Sequence, residues 1–216
     1  MYLRRYKIIC CDLLFKGNIM VEIGNNSSCT ALVLLDFING IAVNSKALLQ
    51  KYSVFDNVNK LIKYARNREI PIIFVKVGFS EDYAELANNS PVFRRIRDNG
   101  LLKLNSDQTD FCSEIDFRLS DDIVVVKHRF NAFYGTNLEQ ILKQLNVDHL
   151  IIAGISTHVA VSSTARDAHD RDYKVTIVAD ACAAADEITH HNALEIMHYF
   201  CDVELTDNVC KFMFEV

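Results

Sequence analysis

The chain has 216 residues, 50% of them hydrophobic and 24% charged, with a formal net charge of −5. That length can bury the core of one domain, and the acidic balance argues against nucleic acid or an anionic membrane surface as a partner. Only Pro71 and Pro91 interrupt it as prolines, and neither a low-complexity linker nor a solenoid repeat is visible, so one compact domain is the simplest organisation.

In chain order, Arg4, Arg5 and Lys7 precede an apolar stretch at 8–15 that Asp12 interrupts. No small-residue cleavage site follows, so the stretch fails as a secretory signal, and it is too short to span a bilayer. Residues 1–28 read as an added arm, extended or hairpin-like over 6–21 with a turn near Gly17, and residues 29–216 as the main domain. Residues 30–35 form an apolar run expected of a strand buried on both faces. Residues 48–68 have helical spacing, with Val54, Val58, Leu61, Ile62 and Ala65 on one face. A second buried strand is predicted at 71–77, and a loop with a short helix near 93–97 across 79–105. The pattern then predicts strand 122–126, helix 137–145, strand 149–153, helix 157–173, strand 174–179, helix 186–200 and a last strand at 202–205. Strands alternating with helices predict a three-layer α/β/α sandwich with a mostly parallel sheet, whose strand order periodicity leaves open. Ligands in such folds bind beyond the carboxyl ends of the strands.

The seven cysteines are odd in number and lack metal-type spacing, so they read as free thiols in a reducing cytoplasm. Cys182 and Cys201 lie in apolar contexts and are expected to pack. Cys112, in a polar stretch, is the one candidate for reactivity.

Two charged residues close apolar runs: Asp36 after 32–35 and Lys127 after 123–126. On position alone, a loop-capping Asp and a surface Lys are the ordinary readings. A carboxylate and an ammonium, both at carboxyl ends of strands, could nevertheless move a proton and hold a substrate oxygen. His128 and Arg129 extend a basic patch expected to be partly solvated. The most informative stretch is Gly154-Ile155-Ser156-Thr157-His158-Val159-Ala160-Val161-Ser162-Ser163-Thr164-Ala165-Arg166-Asp167-Ala168. It turns from a strand through Gly into a helix start, which presents N–H groups and a positive dipole end to the crevice. Such a turn suits a developing negative charge, with Ser156, Val159 and Ala160 as the backbone donors.

This stretch, with Asp36, Lys127, the segment Phe130-Asn131-Ala132-Phe133-Tyr134-Gly135-Thr136-Asn137-Leu138 and Asp180-Ala181-Cys182-Ala183, resembles the isochorismatase-like hydrolases, the cysteine hydrolase family. The resemblance covers about residues 30–205. It implies an isochorismatase-like, Rossmann-like fold and hydrolysis of a small molecule. It also implies roles for Asp36 as acid or base and for Lys127 as the charge that stabilises it. Ser156 would lie at a non-proline cis peptide, and Thr157 reads as a helix N-cap. In the amidase members, the position of Ala160 holds the nucleophilic Cys, so no acyl-enzyme can form there in this chain. Isochorismatases proper carry a small residue at that position and a His two residues earlier, as His158 is here, and cleave a vinyl ether. Their Gln two residues after the Asp is replaced by Ile38.

Three accounts of Ala160 stay open: a natural enzyme without the Cys, an amidase or ureidase disabled by Cys→Ala, and a non-catalytic small-molecule or protein-binding member. Phe133, Tyr134, Ile155 and His158 are the candidate substrate-lining residues. No metal site is expected: the zinc-binding Asp-x-His of some amidases has no counterpart at 77–82, and His190 and His191 face different directions. The lack of a Gly-rich phosphate loop argues against a nucleotide, so no cofactor is expected. The resemblance implies a homo-oligomer.

Overall fold

The apolar runs assemble into one six-stranded sheet in the order β3-β2-β1-β4-β5-β6. The strands are β1 (Thr30–Leu35), β2 (Ile72–Val77), β3 (Ile123–Lys127), β4 (His149–Ile155), β5 (Lys174–Ala183) and β6 (Asp202–Glu204). Every neighbouring pair is parallel. This computed structural model describes residues 29–213. The proposed arm, with Cys10 and Cys11, lies outside them. Helices α1 (Asn39–Ala42), α2 (Lys46–Lys51), α3 (Val54–Asn67), α4 (Pro91–Asp98), α5 (Leu138–Gln144), α6 (Ser162–His169) and α7 (Glu187–Met197) flank the sheet. The α/β architecture is therefore the one the alternation of periods predicts. Ala31 to Leu35 are each 0% exposed, because β1 lies inside the sheet with side chains packed on both faces.

Three predicted elements differ in detail. The single helix at 48–68 is two, α2 and α3, parted at Ser53, which takes φ 50°, ψ 42°. Asn57 fixes the break by donating through Nδ2 to the carbonyls of Tyr52 (3.0 Å) and Asp180 (2.8 Å). The helix at 157–173 is a π-helical turn, Thr157–Val161, followed by α6. Strand β5 runs on to Ala183 because its register against β4 shifts between Ile152 and Gly154, which renews the pairing. Gly154 is required at that point: a Cβ there would lie 2.7 Å from Leu35 Cβ and 2.8 Å from the Leu35 carbonyl oxygen.

The segment between β2 and β3 folds α4 over a satellite core that includes Val77, Phe79, Tyr83, Phe93 and Ile96. Pro91 occupies the first turn of α4, where its missing N–H costs nothing. Ile38, just past β1, joins this cluster and ties the segment to the carboxyl edge of the sheet.

Candidate active site

The sheet grows one way from β1 to β2 and β3 and the other way from β1 to β4, β5 and β6. The switch point therefore lies between the carboxyl ends of β1 and β4, where open α/β sheets leave a crevice. Leu35 is paired with Gly154 across that seam. Asp36 follows the first strand, and the turn bearing Ala160 follows the second.

Asp36 is 3% exposed, and its backbone takes φ 57°, a left-handed conformation uncommon outside Gly and costly for a residue with a Cβ. The strand ladder holds it there. Its N–H donates to the Val75 carbonyl at 2.8 Å. Its Oδ1 accepts from the Val77 N–H at 2.9 Å, and its Oδ2 accepts from Lys127 Nζ at 2.7 Å. Val77 and Lys127 are register partners in β2 and β3, so a Lys at this register can reach across one intervening strand. Lys127 is 1% exposed and donates also to the Arg129 carbonyl at 3.2 Å. The structure thus brings together the two charged residues that closed separate apolar runs. Each carboxylate oxygen retains a further lone pair for a water or substrate proton.

The basic patch beyond Lys127 turns back onto the β2–α4 segment. His128 Nδ1 lies 2.6 Å from the Gly78 carbonyl oxygen. Arg129 donates to the Glu85 carbonyl at 2.9 Å and stacks over the Phe93 ring. The following loop is pinned to α6: Asn131 donates to Asp167 Oδ2 at 2.7 Å, and the Ala132 N–H donates to Thr164 Oγ1 at 3.1 Å.

The expected lining residues divide. Phe133 is buried and stacks on Tyr173, with the Arg171 guanidinium over its ring, past the end of α6 remote from Ala160. The pinned loop turns its ring toward the α6 side. Ile155 is 0% exposed within the core cluster, since it is still part of β4. Tyr134 and His158 are exposed.

The turn after β4 also corrects two expectations. Among the described residues every peptide bond is trans, and Ser156 makes the turn instead through φ 70°, ψ 64°. Its N–H donates to the Ala183 carbonyl at 2.8 Å, and its own carbonyl accepts from Val159 at 2.9 Å and Val161 at 3.4 Å. The N–H groups of Ser156 and Val159 are therefore engaged in the backbone and are not free oxyanion donors. Thr157 does not cap: it is fully buried, with Oγ1 2.9 Å from His190 Nδ1. Ala160 is 3% exposed, at the third position after that tie.

Cys112 is not the reactive thiol its polar neighbours suggested. It is 4% exposed, and burial pushes its thiol up to about 11, so thiolate is scarce near neutrality. Cys182 is buried as expected, with its thiol pushed up by burial to about 12, whereas Cys201 is only partly buried. Among the described residues no group of three His, Cys, Asp or Glu side chains is placed to hold a metal ion, and no helix is long and apolar enough to cross a membrane. Sequence reasoning missed the Val77 N–H and the Thr157–His190 pair. Only the apolar run around Val77 pointed to the first, and nothing in the periodicity pointed to the second.

These features define an open α/β/α fold with a buried Asp–Lys pair at its switch point. The isochorismatase domain model matches residues 30–208, and the chain belongs to the isochorismatase family of hydrolases. The isochorismatase family protein YecD of Escherichia coli O157:H7 is 33% identical over 78% of this chain and 87% of its own length. The ureidoacrylate amidohydrolase RutB of Yersinia enterocolitica is 30% identical over 72% of this chain and 75% of its own. A cysteine hydrolase from Pseudomonas syringae pv. phaseolicola 1448A shares the fold at a TM-score of 0.78 and 22% identity, over 91% of this chain and 97% of that one. The N-carbamoylsarcosine amidase of Thermoplasma acidophilum superposes at a TM-score of 0.66 with 26% identity, over 82% of this chain and 96% of that one.

Proposed function

We propose that this chain hydrolyses a small molecule at the Asp36–Lys127 pair with water, rather than an enzyme thiol, as the nucleophile. The observation that carries this reading is the buried carboxylate whose Oδ2 is 2.7 Å from Lys127 Nζ, at the mouth of the crevice. Paired with an ammonium, Asp36 is poised as a base that takes a proton from water as the water adds to the substrate. Lys127 orients the carboxylate and balances the charge that develops. Ala160 lets the turn approach the reacting centre without supplying a nucleophile, and its N–H is the remaining candidate oxyanion donor. Tyr134, His158 and the β2–α4 segment supply selectivity.

N-carbamoyl compounds are the first substrate class to test, since the two amidases just described are named for a ureido and a carbamoyl substrate. A vinyl ether of the isochorismate type is the second reading, favoured by the pairing of Ala160 with His158. The buried thiols of Cys112, Cys182 and Cys210 support a reducing, cytoplasmic setting, and the family resemblance supports a homo-oligomer.

The test is turnover of ureidoacrylate, N-carbamoylsarcosine and isochorismate by the native chain, Asp36→Asn and Ala160→Cys. Native turnover that falls at least about 100-fold in Asp36→Asn, with no covalent adduct by intact mass, is the expected result. Turnover only in Ala160→Cys would instead make the chain a thiol amidase lacking its nucleophile. Tight binding without turnover in every form would make it a binding protein.

A further inference from the structure

The π-helical turn Thr157–Val161 is closed by two N–H groups, of Val159 and Val161, both donating to the Ser156 carbonyl. Such turns are rare and concentrated at functional sites. Something outside the turn must hold it, and the only polar side chain it buries is that of Thr157, 0% exposed. That hydroxyl meets His190 Nδ1 at 2.9 Å, and His190 is itself 3% exposed. Tyr52, at the break between α2 and α3, stacks on the imidazole with ring centroids 5.5 Å apart. The Tyr52 hydroxyl donates to Glu187 Oε1 at 2.9 Å, and Glu187 also pairs with Lys51 at 2.6 Å. The chain of contacts runs from α2 through the first turns of α7 to the start of the turn that carries Ala160.

An apolar pair in this place would carry no polar desolvation cost. A buried hydroxyl and imidazole gain little in net stability but are satisfied only when they face each other at hydrogen-bonding distance, so they specify geometry. We propose that His190 is a positioning residue. Through Thr157 it locks the turn at Ala160 in its π-helical form, with Tyr52 and Glu187 fixing the imidazole in turn. The functional consequence rests on the reading that this turn is one wall of the reactive crevice. The tie itself does not.

The experiment is amide hydrogen exchange at Val159 and Val161 in the native full-length chain, in Thr157→Val and His190→Leu, and in the conservative forms Thr157→Ser and His190→Asn. No substrate is needed, so its outcome is separate from that of the turnover test. Thr157→Val and His190→Leu are expected to speed exchange at these two amides by about tenfold or more, while the amides of β1 keep their protection. Thr157→Ser and His190→Asn, which retain a hydrogen-bonding atom near the same place, are expected to restore slow exchange. Unchanged exchange in the turn overturns the proposal. So does an equal loss of protection in the turn and in β1, or failure of the conservative forms to fold, since either makes the pair a general stabiliser.

Discussion

Asp36 combines three conditions that seldom coincide: near-complete burial, a positive φ of 57°, and two charge-assisted hydrogen bonds. The backbone strain persists because β2 holds the residue through the Val75 carbonyl and the Val77 N–H, and such over-determined strain clusters at functional sites. Asn tolerates left-handed backbone well, so Asp36→Asn keeps the backbone turn while removing the charge, though it leaves the buried Lys127 ammonium without its carboxylate. Lys127→Ala has the mirror effect. It leaves an unpaired carboxylate inside the protein, and such changes cost about 3–5 kcal/mol. Urea unfolding of Lys127→Ala is expected to show that loss, and a change below about 1 kcal/mol would mean the pair is solvated. Both positions were legible because each ends an apolar run with a charge. The burial of Phe133 and Ile155 was not legible, because a residue's type does not say which way a pinned loop or the last residue of a strand will point.

At the scale of elements, the seam between β1 and β4 sets the site. Gly154 lets the Leu35 backbone approach within a distance that no side chain permits. Gly154→Ala is expected to destabilise by about 1–3 kcal/mol, because the nearest atoms belong to backbone and a β-carbon that cannot swing away. It should also lower turnover by moving Asp36 relative to Ala160. Native turnover together with native stability in Gly154→Ala would show that the seam tolerates spreading. The register shift beside Gly154 and the left-handed Ser156 aim the π-helical turn. Sequence spacing predicted a helix here, and the first turn departs from it because Ser156 accepts the closing bonds and α7 supplies a partner for Thr157. Ser53 parts the 48–68 helix for a similar reason: a contact distant in sequence, Asn57 with Asp180, outweighs local helical preference.

For the whole molecule, burial of neutral imidazoles couples the fold to pH. His149 is 4% exposed at the start of β4, with Nε2 2.9 Å from Thr176 Oγ1. Burial, aided by the Lys174 charge, pushes its value from 6.5 down to about 4. Burial and the neighbouring His191 push His190 down to about 4 as well. Between pH 6.5 and about 4 the unfolded chain therefore binds more protons than the folded one. The stability these two residues contribute is full above pH 6.5 and is lost as the pH falls toward 4. Tm is expected to fall across that window, with a shallower fall in His149→Gln. An identical slope in the variant would remove His149 from the account.

The alternation of apolar runs with helical spacing determined, by itself, that this chain forms a parallel α/β/α sheet, because burial on two faces and on one leaves different periods. The same local logic put Asp36 and Lys127 at strand ends. Strand order, the Val77 N–H on Asp36, the Thr157–His190 tie and the inward turn of Phe133 were decided only by the tertiary structure. Each depends on which segments become neighbours across tens of residues, and hydrogen bonds and close packing at that range leave no period in the sequence.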